Sequence, residues 1–376
     1  MTQGPAIADP VGRDRRRPLR MAALVHGIGG RDSGVRRLIL DQALAWGQDP
    51  DLEVGLFVRC EAGTEDAWRG EPHVVAVQSS RRGILGRFVV RELLSFQAAR
   101  WRPDVIYLRH TTVSPSLLVL AAAIPTVVGG DLDDLAELRT VNRLRYWYAR
   151  LVRQRMLRLA KGLIVVTYQI AAFPSLRAVG RPIAVYPNTI NLADSPSLPA
   201  PANDRPRLVF IGAPHLPWAG VDKIARLARH CPDWDFDLIG TDPAEIADPP
   251  GNLRIHGART RADYLPVMAR ADVAIGPLAL HRKRLTEASA LKVAEYLAYG
   301  IPVILGCAEA AFPHGAPFLL QIPNEEDNVE VALPAIRAFV EAQRGRRVAR
   351  KDLAAIDTGS VERERLATVL RMTGIR

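Results

Sequence analysis

Residues 287 to 305 read Glu-Ala-Ser-Ala-Leu-Lys-Val-Ala-Glu-Tyr-Leu-Ala-Tyr-Gly-Ile-Pro-Val-Ile-Leu, and this stretch decides how the whole chain is read. Ser289 is expected to cap a helix, Gly300 to end it, and Ile301 to Leu305 to form a buried strand. Glu287 and Glu295 then flank a loop-to-helix junction. Lys292 falls in the first helical turn, where the positive end of the helix dipole disfavours a cation. A lysine there makes better sense when an anion shares that helix end. Exposed backbone N–H groups with a lysine suit a phosphate, and flanking carboxylates accept hydrogen bonds from sugar hydroxyls. A nucleotide diphosphate sugar has both parts.

The string resembles the Glu-x7-Glu signature of retaining GT-B glycosyltransferases of the family-four type. Leu291-Lys292, Glu295-Tyr296-Leu297-Ala298 and Gly300-Ile301-Pro302-Val303 also follow that pattern. The resemblance implies that Glu287 contacts the donor sugar and Glu295 the ribose, with Ser289, Ala290, Leu291 and Lys292 at the diphosphate. A bare pair of glutamates is also what a solvated helix face carries, so the surrounding string gives the reading its weight.

The 376 residues are enough for two domains, each with its own core. Hydrophobic content of 48% with 24% charged residues is ordinary for a soluble globular chain. Cys60, Cys231 and Cys307 are scattered, with neither a metal-ligand spacing nor a disulfide framework, which points to a reducing compartment. The first twenty residues are arginine-rich and lack an apolar core, so they read as a disordered arm rather than a secretory signal. A net charge of +10 favours anionic partners. The excess gathers on two segments, Arg81 to Arg102 and Arg139 to Lys161. No nucleic-acid motif accompanies it. Basic helices interleaved with Phe88, Leu93, Leu94, Phe96 and Trp101 suit an anionic membrane surface, and equally read as solvated faces.

Strand-like and helix-like segments alternate from Met21 to Val166 and again from Leu208 onward, which implies parallel, doubly wound sheets. Between them, Asn191 to Arg207 carries four prolines and little periodicity, the best linker in the chain. The expected organisation is an arm at 1–20 and Rossmann-like domains at 21–195 and 206–350. The resemblance implies that the first domain binds the acceptor, that the second binds the nucleotide sugar, and that a final helix at 351–376 returns to the first domain. Ligands of such a pair sit in the cleft at the carboxyl ends of the strands. A dehydrogenase shares that geometry, but its fingerprint needs glycine where Asp32 stands.

The resemblance nominates further residues. Gly34, at the start of the first helix, matches a glycine that lies against the donor diphosphate, although a simple tight turn explains it too. His110, followed by Pro115-Ser116-Leu117, matches the active-site histidine. Many relatives carry an arginine in the loop 212–220 and a lysine just before its glycine; this chain has no arginine there and Ala219 at the lysine position. Arg282 and Lys283, just upstream of Glu287, are candidate substitutes and also read as an exposed charge run. Asp131 and Asp133 form an Asp-x-Asp, which belongs to a different architecture; they are expected to be loop and cap residues, with no metal and no cofactor. The function these features imply is transfer of a sugar from a UDP- or GDP-type donor to a lipid-linked or glycan acceptor. It would take place in the cytoplasm, at the inner membrane face, with no nucleic acid partner. The alternative from another class is a non-catalytic nucleotide-sugar-binding or scaffold protein of polysaccharide assembly.

Overall fold

The computed structural model of the chain describes residues 17–25, 34–59, 68, 74–77, 83–109, 114–132 and 143–375. The first half contains β1 (Leu19–Val25), α1 (Gly34–Trp46), β2 (Leu52–Arg59), β3 (Val74–Val77), α2 (Gly83–Arg100), β4 (Val105–Arg109) and α3 (Pro115–Ala123). It continues with β5 (Thr126–Gly130), α4 (Arg143–Leu159), β6 (Gly162–Val165), α5 (Tyr168–Ala171), α6 (Pro174–Arg177) and β7 (Ile183–Val185). The strands form one parallel seven-stranded sheet in the order β3-β2-β1-β4-β5-β6-β7. Strands covered on both faces read as unbroken apolar runs, and Met21 to Val25 is such a run, buried throughout. Alternate residues serve opposite layers. Ala22, Leu24, Ile106 and Leu108 pack under α2, α3 and α4, whereas Met21, Val105 and Tyr107 face the other side.

The second half contains β8 (Arg207–Ile211), α7 (Val221–His230), β9 (Asp235–Ile239), β10 (Leu253–Ile255), α8 (Arg261–Ala269), β11 (Val273–Ile275), β12 (Glu287–Ala288) and α9 (Leu291–Ala298). Then come β13 (Val303–Leu305), β14 (Ala308–Glu309), β15 (Leu319–Gln321), α10 (Asn328–Val331), α11 (Leu333–Gln343) and α12 (Thr358–Thr373). A six-stranded parallel sheet runs β10-β9-β8-β11-β13-β15, and β12 pairs with β14 in a separate small ribbon. Both sheets reverse direction in the same way, between β1 and β4 and between β8 and β11. A crevice opens at such a switch point, beyond the carboxyl ends of the strands.

The helical stretch Asn328 to Gln343 breaks at Ala332, because Pro334 lacks the N–H an interior position needs and starts a new helix instead. The terminal segment opens as a 3-10 turn at Arg350–Ile356 and then crosses to the first sheet as α12. Leu366, Val369 and Leu370 enter the core around Trp46 and Tyr107. Trp46 donates its indole N–H to the Glu362 carbonyl at 3.1 Å, and Gln42 donates to the Glu362 carboxylate at 2.9 Å. Arg365 closes the joint, pairing with Glu362 at 2.8 Å and donating to the carbonyl of Pro187 at 2.8 Å.

Candidate functional site

Helix α9 starts at Leu291 with Ala290 at its N-cap and no side-chain cap. Ser289 is therefore not the cap the sequence suggested. Its hydroxyl accepts the backbone N–H of Asn188 at 2.7 Å, and its carbonyl accepts Nδ2 of Asn188 at 2.7 Å. Asn188 Oδ1 in turn takes Nη2 of Arg109, at the carboxyl end of β4, at 3.4 Å. The serine thus ties the mouth of α9 to the switch point of the first sheet. At the other end Gly300 does terminate the helix. With φ of +81° it donates to Leu297 O at 2.8 Å, and Ile301 donates to Tyr296 O at 2.9 Å. This double bond pattern needs a left-handed residue, which favours glycine. Ile301 and Pro302 complete that turn, so β13 begins two residues later than expected.

Glu287, on β12, is bound from the first half of the chain. Its Oε2 accepts the backbone N–H of Gln169 at 2.7 Å, and Gln169 Oε1 accepts the backbone N–H groups of Thr286 and Glu287 at 2.8 and 3.3 Å. Among the described residues its Oε1 accepts no hydrogen bond. Glu295, one turn into α9, has Oε1 held by the hydroxyls of Tyr264 at 2.7 Å and Tyr299 at 2.9 Å. Burial, with the Glu295 charge beside them, raises both phenols, Tyr299 to about 12, so they remain donors. Nη1 of Arg37 on α1 and Nε of Arg261 on α8 approach the same oxygen at 3.7 and 3.9 Å. Oε2 of Glu295 takes no hydrogen bond among the described residues. Each carboxylate therefore keeps one acceptor oxygen unused among the described residues.

Lys292 is half-buried, with Nζ 4.2 Å over the ring of Phe210 on β8. Burial lowers its pKa to about 7, and an anion beside it would push that value up again. Leu291 meets the first half directly: a Cβ added at Gly34 would stand 3.7 Å from Leu291 Cδ1. That is ordinary contact, so Gly34 is not forced by crowding from α9, and the start of α1 lies against the start of α9. Gly34, Ser289, Ala290, Leu291, Lys292 and Glu295 are thus brought together.

Arg282 and Lys283 are directed at protein partners instead. Arg282 forms a two-pronged pair with Asp222 at 2.9 and 2.8 Å, donates to Pro217 O at 2.9 Å and pairs with Glu326. Lys283 Nζ sits 4.4 Å over the Trp218 ring. His110 and Asp133 lie outside the described residues, and Asp131 is exposed. Among the described residues, no group of three or more His, Cys, Asp and Glu side chains is arranged to hold a metal ion.

Sequence reasoning missed Gln169, Asn188, Arg37, Tyr264, Tyr299 and Glu309. Glu309 is buried on β14, one strand from Glu287, against the backbone N–H groups of Ala310, Ala311 and Ala290. Burial raises its carboxyl to about 8 despite those donors, and the Glu287 charge adds to the rise. The signal was available: a lone carboxylate in Cys-Ala-Glu-Ala-Ala-Phe, just after a buried strand.

No family model matches the chain, and no curated protein matches it. Solved structures do resemble it. A glycosyltransferase from Rickettsia africae aligns with a TM-score of 0.63 at 11% identity, covering 95% of this chain and 99% of its own. Sucrose-phosphate synthase from Thermosynechococcus elongatus aligns at 0.60 and 16%, with coverage of 94% and 96%. UDP-GlcNAc 2-epimerase from Neisseria meningitidis, bound to UDP-GlcNAc, aligns at 0.57 and 12%, with coverage of 94% and 100%. The chain has the GT-B fold: two parallel-sheet α/β units facing one cleft, with the last helix returned to the first.

Proposed function

We propose that the protein is a glycosyltransferase that moves a sugar from a nucleotide diphosphate sugar to a hydroxyl of a lipid-linked or polysaccharide acceptor, with retention at the anomeric carbon. The observation that carries this reading is the arrangement of Glu287 and Glu295 around the N-terminus of α9, each with one carboxylate oxygen left to accept. Two tyrosine hydroxyls orient Glu295, so its remaining oxygen meets ribose hydroxyls. Glu287, oriented by Gln169, meets the hydroxyls of the donor sugar. The N–H groups at Leu291 and Lys292, with the Lys292 ammonium, face the diphosphate. Negative charge grows there as the sugar–phosphate bond breaks, and donors fixed in advance stabilise it without reorganisation. A phosphate oxygen of the donor takes the acceptor proton, so no protein base is required. His110 is proposed to reach the sugar from the first half, and the reaction is proposed to need no metal. Closing the cleft excludes water, which otherwise competes as acceptor.

The first test is thermal stabilisation by UDP-, GDP-, ADP- and dTDP-sugars. A ligand at 100 times its Kd adds roughly 2.7 kcal/mol to the folded state. The stabilising donor is then assayed for transfer and hydrolysis, with and without chelator, and NMR reads the anomeric configuration of the product. Stabilisation without turnover would favour a non-catalytic binder. Inversion, or a loss of turnover on chelation that magnesium or manganese rescues, would overturn those parts of the proposal.

The outer layer of the first sheet supports a reversible stay on the inner face of a membrane. Phe96 and Leu93 on α2, Val119 on α3 and Leu151 on α4 are 57%, 40%, 71% and 64% exposed. Arg100, Arg155, Arg158 and Lys161 are exposed on the same layer. Three residues drop out of the sequence-based list of membrane contacts. Leu94 is core, Trp101 packs against Phe57, and Arg153 is buried with Nη2 donating to Leu132 O at 2.6 Å. Among the described residues no helix is long and apolar enough to cross a membrane.

A further inference from the structure

The segment Gly212 to Gly220, at the carboxyl end of β8, contains no arginine or lysine. Arg282 is committed to Asp222, Glu326 and the carbonyl of Pro217. Near α9 the second half of the chain places Arg261, whose Nε donates to the Tyr299 hydroxyl at 2.7 Å, and Lys292, which sits in a setting that favours its neutral form. Opposite stands α1. Gly34 faces Leu291, and Arg37, one turn further on, faces Glu295. Residues three or four apart share a helix face, so α1 and α9 run side by side over one turn. Arg36 points elsewhere, its guanidinium 4.9 Å over the Trp68 ring.

The Arg37–Glu295 approach of 3.7 Å is an ion pair without a hydrogen bond, so it does not use up the five N–H donors of the guanidinium. Glu295 keeps Arg261 at 3.9 Å and two tyrosine donors when Arg37 moves. Leu291 and Glu295 are four residues apart, about 6 Å along the helix axis, within the sweep of an arginine side chain.

We propose that Arg37 reaches across the cleft to the donor's diphosphate, leaving Glu295 as the ribose hydroxyls arrive, and so supplies the cation that the β8 loop lacks. An arginine suits this task because it stays charged and grips phosphate oxygens in pairs. It also makes donor binding draw the two halves together. The inference rests on the nucleotide-sugar reading.

The test is calorimetric binding of UDP, GDP, ADP and dTDP, each beside its nucleoside, to wild type, Arg37→Ala and Arg37→Lys, with melting curves to verify folding. Arg37→Ala is expected to weaken the preferred diphosphate by about 10- to 100-fold and to change nucleoside affinity by about twofold at most. Arg37→Lys should restore part of the loss. Equal losses for diphosphate and nucleoside, or no loss in a folded variant, would overturn the assignment and leave Arg37 as a neighbour of Glu295 only. Failure of the wild type to bind any of the four diphosphates would sink the nucleotide-sugar reading itself, a distinct result.

Discussion

The backbone N–H of Gln169 donates to Oε2 of Glu287 over 2.7 Å, joining residues 118 positions apart and the two sheets they follow. One carboxylate oxygen is thereby fixed, and the other takes no hydrogen bond among the described residues. Glu287→Gln keeps an acceptor for Gln169 but loses the charge that a sugar hydroxyl would meet. Affinity for the intact nucleotide sugar should fall by about 1.5–3 kcal/mol, the worth of a charge-assisted hydrogen bond, with little change for the free nucleotide. Titrating both ligands decides it. Equal losses would contradict a sugar-contacting role.

Glu295 should behave differently, because ribose belongs to donor and free nucleotide alike. Glu295→Ala should weaken both by about 1.5–3 kcal/mol. It also strands the hydroxyls of Tyr264 and Tyr299, so a loss of stability of about 1–3 kcal/mol should accompany the change. Tyr264→Phe leaves the carboxylate in position with one donor fewer, and its effect on nucleotide affinity should be smaller than that of Glu295→Ala. Unchanged nucleotide binding by a folded Glu295→Ala variant would remove the ribose assignment.

Much of the fold was legible because its signals are local. Buried runs such as Met21 to Val25 announce parallel strands, and Gly300 marks a helix end that only a left-handed residue closes so simply. Ser289 misled for an equally physical reason. A serine before a helix is a good cap, but its hydroxyl can bond only where the fold brings a partner, and Asn188 arrives from a hundred residues away. Arg37 was illegible for the same cause. Its setting depends on Glu295, which α9 brings to it from far along the chain.

Glu309 gives the stability a pH signature. Its carboxyl is raised from its ordinary 4.5 to about 8 by burial, so the folded state favours the neutral form. The stability this confers is full below about pH 4.5 and is lost as pH rises through 8, where a buried charge must form. Glu309→Gln keeps an acceptor for the N–H groups and cannot ionise. Between pH 5 and 9, denaturant midpoints of the variant should therefore gain on wild type as pH rises. Parallel curves for the two proteins would show that Glu309 does not titrate in this window.

The outer face of α2, α3 and α4 carries the last prediction. Each arginine or lysine near an anionic leaflet contributes about 1 kcal/mol, and surface charge is screened within about 10 Å at 0.1 M salt. Wild-type protein should therefore sediment with vesicles containing anionic lipid and release as salt rises. Paired substitutions Phe96→Ser and Val119→Ser remove apolar contact. They should weaken binding while leaving its salt dependence in place. Arg155→Gln with Arg158→Gln should flatten the salt dependence instead. All four residues are exposed, so the variants should fold, with stability within about 0.5 kcal/mol of wild type per change. Sedimentation indifferent to lipid charge and to salt would identify the face as merely solvated, and a soluble acceptor would then replace the lipid-linked one.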